Sequence, residues 1–97
     1  MMSSIQMTDF LKKQDDINII DIRSNSKYND NHISNARNIP FNSLITEPNK
    51  YLNKNEIYYI YCQKGMQSLN AVMILSRQGY NVVNVVGGYE TWILEGK

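Results

Sequence analysis

Long apolar runs, an excess of one charge and paired cysteines are all missing from this 97-residue chain, and each absence removes a class of function. Ten Lys and Arg balance nine Asp and Glu to a net charge of +1, and the longest basic feature is Lys12-Lys13. A nucleic-acid binder would carry a basic stripe to meet the phosphates, so no nucleic-acid partner is expected. No apolar stretch approaches the roughly 18 residues that span a bilayer, so no membrane partner is expected either. Met1-Met2-Ser3-Ser4 lacks the basic segment and apolar stretch of a secretory signal, and a cytoplasmic protein is the expectation. One histidine, His32, without other ligand candidates points away from a metal site. One cysteine, Cys62, rules out an internal disulfide and leaves that thiol as either inert core or a reactive group.

Repeats, low-complexity tracts and linkers rich in Gly, Ser or Pro are absent too. Residues 1–97 therefore read as one domain, because two hydrophobic cores need more sequence. A hydrophobic fraction of 42% and a charged fraction of 20% are ordinary for a globular protein, and without a disulfide its core must supply the stability alone. The abundance of Asn, Ile, Lys and Tyr, which have AT-rich codons, hints at a bacterial source.

What is present alternates between strand and helix. Ile5-Gln6-Met7 reads as a short first strand, and Thr8 as the N-cap of a helix through Lys13. Ile17 to Ile22 (INIIDI) is an apolar, β-branched run of the length of a buried strand. Ser26 to Asn31 is expected to hold one helical turn with Ser26 as its cap. Ala36 to Ile39 reads as a strand stopped by Pro40, and Phe41 to Leu52 as short helical pieces broken at Pro48. Ile57 to Tyr61 (IYYIY) is the clearest strand and runs directly into Cys62. Ser68 to Gln78 follows as a helix with Leu69, Val72, Met73, Leu75 and Ser76 along one face and Gly79 as its C-cap. Val82 to Val86 is the last strand. Gly87-Gly88 breaks it, and Tyr89 to Leu94 makes a terminal helix with Trp92 and Ile93 facing inward. Such alternation predicts an α/β fold with a parallel sheet and helices on both faces, in which sites lie at the carboxyl ends of strands. Cys62 sits at that end of the best strand.

Tyr61-Cys62-Gln63-Lys64-Gly65-Met66-Gln67-Ser68 is thus a strand–loop–helix with a cysteine at the turn. A loop of this kind wraps a thiol so that successive N–H groups point at it, and the helix behind adds its positive end. Both effects favour the thiolate, which is the nucleophile, and the same cradle would hold an anion or a persulfide sulfur. Gly65 allows a positive φ or a close backbone approach. The bland alternative is a small buried residue ending a strand.

Three segments resemble the rhodanese family. Ile20-Asp21-Ile22-Arg23, then Tyr28, His32-Ile33, Ala36 and Asn38-Ile39-Pro40, resembles its VDVR…Y…GHIxGAxNIP stretch. Tyr61 to Ser68 resembles its YCxxGxRS active-site loop, and Val83 to Val86 followed by Gly87-Gly88-Tyr89 and Trp92 resembles its closing V…GGxxxW. Order and spacing agree over nearly the whole chain. The resemblance implies a rhodanese-like fold with a central five-stranded parallel sheet flanked by helices on both faces. It also implies sulfurtransferase chemistry. Cys62 would take sulfane sulfur from a small-molecule donor, thiosulfate or a persulfide, and pass it to a thiol or cyanide acceptor, with a sulfur-relay protein as a further partner class. Gln63, Lys64, Gly65, Met66 and Gln67 would form the cradle, with Ser68 opening the helix behind it. No metal or organic cofactor is implied; the only intermediate is the Cys62 persulfide.

The chain departs from the family's pattern in ways that bear on the donor. Gln67 and Gln63 stand where arginine is frequent, which leaves Lys64 as the only cation in the loop. Thiosulfate is a dianion that gains from charge-assisted hydrogen bonds, so weak thiosulfate use is expected, with a neutral or protein-bound persulfide as the better donor. Lys27, Asn31 and Asn35 replace an acidic residue and two glycines in what reads as a surface turn. Asp21 and Arg23 end their strand at the same sheet edge as Cys62. Their expected role is structural, either orienting the loop or forming a surface ion pair worth about 0–1 kcal/mol. His32 is expected to pack and hydrogen-bond rather than form a Cys–His pair. Tyr58, Tyr59 and Tyr61 are read as core and sheet-surface residues, and Trp92 as a core anchor.

Two other functions compete. A cysteine-dependent phosphatase or arsenate reductase needs an arginine closing the loop, and Arg77 is a helix away. A non-enzymatic binding or regulatory module would be favoured by an unreactive Cys62.

Overall fold

A computed structural model describes residues 3–96, and strand and helix alternate along nearly all of them. The elements are β1 (Ser3–Ile5), α1 (Met7–Leu11), a 3-10 turn at Gln14–Asp16, β2 (Asn18–Asp21), α2 (Asn25–Asp30) and β3 (Ala36–Asn38). They continue with α3 (Phe41–Thr46), α4 (Pro48–Tyr51), β4 (Ile57–Tyr61), α5 (Met66–Arg77), β5 (Asn81–Val85) and α6 (Gly88–Glu95). The five strands form one sheet in the order β1-β5-β4-β2-β3, and every pair is parallel.

β4 is the middle strand, which is why its sequence is apolar without interruption: both of its faces are covered. The two-residue period of the strand divides its side chains between two cores. Tyr58, Ile60 and Cys62 join Ile20, Ile22 and Val82 under α3, α4 and α5, where Leu44, Ala71, Val72 and Leu75 meet them. Tyr59 and Tyr61 join Ile19 and Val85 on the other face, against Phe10 of α1 and Tyr89 and Trp92 of α6. Helices on both faces of a parallel sheet are what the alternation predicts. Among the described residues no helix is long and apolar enough to cross a membrane.

Several local expectations shift. The first strand ends at Ile5, and Met7 already belongs to α1, which starts after Gln6 rather than at Thr8. Ser24, not Ser26, caps α2, its side chain accepting from the Lys27 N–H at 3.3 Å. α5 opens at Met66, two residues before Ser68, because Gly65 takes the N-cap in the left-handed region at φ 101°. Ser68, Ala71, Val72 and Leu75 are its buried residues, whereas Leu69 and Met73 lie at the margin. Gln78 is the C-cap and Gly79 lies just beyond it. Ile93 points outward at 39% exposure, while Trp92 is buried. Ile93 lies one residue, about 100°, further round α6 than Trp92, which takes it to the rim of the buried face.

After β2 the chain moves outward to β3, and after β4 it moves the opposite way to β5. The carboxyl ends of β2 and β4 therefore flank the topological switch point, where parallel α/β sheets open a crevice. Asp21 ends β2 and Cys62 follows β4 directly.

Candidate functional site

The crevice is a pocket of about 630 Å³ whose lining comes from both strand ends. Ile22, Arg23 and Ser24 follow β2, Lys27 comes from α2, and Pro40, Phe41 and Asn42 lie at the start of α3. Cys62, Gln63, Lys64, Met66 and Gln67 complete it, and no acidic residue lines it among the described residues.

Cys62 Sγ is buried and accepts two backbone N–H groups, from Gly65 at 3.1 Å and from Ser68 at 3.3 Å. The first-turn N–H groups of a helix have no partner within it, and α5 spends that of Ser68 on the sulfur. Gly65 makes this possible, since its positive φ turns the loop into the helix and a Cβ there would stand 3.0 Å from the Gly87 nitrogen. The loop is held from behind by the start of α6. Tyr89 N–H donates to the Cys62 carbonyl at 2.9 Å and Glu90 N–H to that of Gln63 at 3.0 Å. In a trans peptide the N–H opposes its carbonyl, so anchoring these carbonyls on α6 turns the Gln63 and Lys64 N–H groups away from α6. Gly87-Gly88 therefore does more than end a strand.

Asp21 and Arg23 are not a surface pair: their exposures are 0% and 6%. Arg23 Nη2 donates to Asp21 Oδ2 at 2.8 Å and Nε donates to both carboxylate oxygens at 3.1 Å. Tyr61 O–H donates to the same Oδ2 at 2.6 Å and accepts the Ile33 N–H at 3.1 Å. The guanidinium also donates to the Asn31 carbonyl at 2.7 Å and stands 4.0 Å from the centre of the Tyr89 ring. Burial works to lower the Arg23 pKa, but the hydrogen bonds and charge of Asp21 prevail and hold it above its ordinary value. Burial, then the hydrogen bond to Asp21 and its charge, push the Tyr61 phenol well above the usual tyrosine range. Asp21, Arg23 and Tyr61 form one buried network tying β2, β4 and α6 together beneath the loop.

The loop side chains divide. Gln63 faces this network rather than the sulfur, accepting from Arg23 Nη1 at 3.2 Å and donating to Glu90 at 3.3 Å. An amide is the group that can satisfy a cation on one side and an anion on the other. Lys64, Met66 and Gln67 are exposed at the pocket mouth. Lys27, expected in a surface turn, lies instead on α2, which carries it to the pocket as a second exposed cation beside Lys64. His32 is not part of the pocket lining; its ring stacks on Tyr28 at 3.8 Å with Nδ1 at 2.8 Å from the Tyr28 carbonyl.

Sequence reasoning missed Asn84, Tyr89 and the apolar wall of Ile22, Pro40 and Phe41. A signal for Asn84 was present: it is the one polar residue inside the run Val82 to Val86, where a covered strand should be apolar throughout. The apolar wall carried no such signal, because its residues are ordinary core types brought together by the switch point.

The fold and site define a class: a small parallel α/β domain with a cysteine in an N–H cradle at the switch point. The chain belongs to the rhodanese-like domain family, whose model matches residues 6–95. It is 32% identical over 91 residues to the thiosulfate sulfurtransferase GlpE of Coxiella burnetii, covering 93% of this chain and 83% of that protein. The putative sulfurtransferase YtwF of Bacillus subtilis is 30% identical over 95 residues, covering 98% and 91%. Among solved structures, a rhodanese-like domain protein from Staphylococcus aureus is 36% identical with a TM-score of 0.87, covering 98% of this chain and 95% of that one. A protein from Staphylococcus saprophyticus is 38% identical with a TM-score of 0.88, covering 98% and 97%.

Proposed function

We propose that this chain is a sulfurtransferase that carries sulfane sulfur on Cys62. The observation that carries the reading is the pair of N–H groups, from Gly65 and Ser68, aimed at Cys62 Sγ on the wall of a pocket. Such donors stabilise a thiolate and then a persulfide, since both place negative charge on sulfur.

In the first step the Cys62 thiolate attacks the outer sulfur of the donor. An S–S bond forms on Cys62, the donor's own S–S bond breaks, and the remainder leaves with the electron pair, as sulfite from thiosulfate or as a thiolate from an organic persulfide. In the second step a thiolate or cyanide attacks the terminal sulfur, and the Cys62 thiolate departs. No metal or organic cofactor enters either step.

For the donor we favour an organic or protein-bound persulfide over thiosulfate. Arg23 is committed to Asp21, and Lys27 and Lys64 stand exposed at the mouth, so a small dianion at Cys62 meets backbone N–H groups without a bidentate cation. Ile22, Pro40, Phe41 and Met66 offer an apolar wall that thiosulfate leaves unused and an organic body would cover.

Intact mass spectrometry tests the proposal. Wild type incubated with a small organic persulfide gains about 32 Da, and Cys62→Ser gains nothing. No gain with either the persulfide or thiosulfate sinks the sulfur-carrier reading and favours a binding module.

A further inference from the structure

Ser68 is 0% exposed and Asn84, which faces it from β5, is 4% exposed. The Ser68 hydroxyl has three neighbours: Asn84 Oδ1 at 2.6 Å, the Gly65 carbonyl at 3.3 Å and Cys62 Sγ at 3.3 Å. It has one proton to give. With Cys62 as a thiol the S–H donates to Ser68 Oγ and the Ser68 O–H donates to Asn84 Oδ1, while the Gly65 carbonyl also accepts the Leu69 N–H at 3.3 Å.

Ionisation of Cys62 reverses those roles. The thiol proton leaves to solvent through the pocket, and the sulfur becomes an acceptor only. Stabilising it fully then needs the Ser68 proton turned toward sulfur. That would leave Ser68 Oγ and Asn84 Oδ1 facing each other at 2.6 Å with no hydrogen between them, a buried pair of acceptors. An asparagine can relieve this where an aspartate cannot. Half a turn of its amide exchanges C=O for NH₂ at nearly constant shape, and the NH₂ then donates to Ser68 Oγ.

We propose that Asn84 is a positioning residue for Cys62, acting through Ser68: its amide presents an acceptor while Cys62 is a thiol and a donor while Cys62 is a thiolate or persulfide. The role of Cys62 in this rests on the sulfur-carrier reading above, but the switch itself needs only that the thiol ionise. The charged side chains around the pocket are Arg23, Lys27 and Lys64, with Asp21 neutralised by Arg23 and Glu90 held by Gln63 on the α6 side. None of them touches Ser68 or Asn84 in the hydrogen-bond network of the described residues.

Asn84→Asp, which can only accept when ionised, holds the Ser68 proton away from sulfur. Its iodoacetamide alkylation profile is expected to move to higher pH, with alkylation at pH 7 about tenfold slower. In a Ser68→Ala background the same substitution should lose most of that effect. A shift that persists undiminished there would mean that the new charge acts directly, and it would overturn the relay. With sulfur donor, kcat should fall and KM stay unchanged, because Asn84 does not line the pocket. If Asn84→Asp fails to fold, wild type alone still decides. The Asn84 side-chain NH₂ resonances should titrate with the midpoint of thiolate absorbance near 240 nm, and should cease to do so in Ser68→Ala. Resonances indifferent to that titration in wild type would sink the proposal. Alkylation and amide resonances need no sulfur donor, so a chain that never takes up sulfur could still pass or fail this test independently.

Discussion

At the scale of single residues, the site depends on polar groups that are buried and fully spoken for. Tyr61 is the clearest case, because its O–H donates to the same Asp21 oxygen that Arg23 Nη2 contacts. Tyr61→Phe keeps the ring and deletes that donor, and should cost about 1–3 kcal/mol of stability in urea unfolding. The pH dependence follows from the raised phenol. Above the ordinary tyrosine value of 10.0 the unfolded chain releases this proton and the folded one retains it. The folded state then binds more protons, so its stability is fully present below pH 10 and falls as pH rises further, by up to about 1.4 kcal/mol per unit from this group. The slope should be measurably shallower in Tyr61→Phe; equal slopes would mean that the phenol is not held as the geometry requires. Gln67 offers the converse experiment. Gln67→Arg places a planar cation at the pocket mouth, and the KM for thiosulfate should fall about tenfold or more, read by sulfite release. The sequence disclosed the departure at Gln67 but not the second cation at Lys27, since only α2 brings residue 27 to the pocket.

Among the elements, α6 acts on the site without supplying a side chain that lines the pocket. Its first N–H groups take the carbonyls of Cys62 and Gln63, and Gly88 lets the backbones approach. A Cβ on Gly88 would collide with the Cys62 carbonyl, and its φ of 59° is left-handed. Gly88→Ala should therefore cost about 2–4 kcal/mol and also slow alkylation of Cys62, because the loop must retreat from α6. Wild-type stability and reactivity in that variant would show that the clamp is not what shapes the cradle. Such an element is hard to read from sequence. Glycine pairs also end strands, and nothing local says that a loop some 24 residues earlier fills the space above them. The short helices were legible only as pieces. Five- and six-residue helices such as α1 and α2 do not persist alone, so packing rather than capping residues sets their limits.

For the molecule as a whole, one sheet is shared by two cores. Phe10 on one side and Leu75 on the other are both fully buried. Replacing either by alanine should remove about 2–5 kcal/mol, a large part of the 5–15 kcal/mol typical of a small protein. Because β4 contributes alternate residues to both cores, neither can melt alone. Urea transitions followed by Trp92 fluorescence on one side and by the Val72 methyl resonances on the other should coincide in wild type and in both variants. A Trp92 transition that precedes loss of the native Val72 resonances would show that the faces unfold separately.

The sequence by itself determined the strands with strong apolar character, their alternation with helices, and the place of Cys62 at the end of the best of them. These are consequences of periodicity and local chemistry, which a linear pattern records. Only the tertiary structure decided that Asp21 and Arg23 are buried, that Lys27 reaches the pocket, that α6 holds the loop, and that Asn84 stands behind Ser68. Each of these joins residues from different elements, and their distances depend on the strand order and on which face of the sheet each side chain takes.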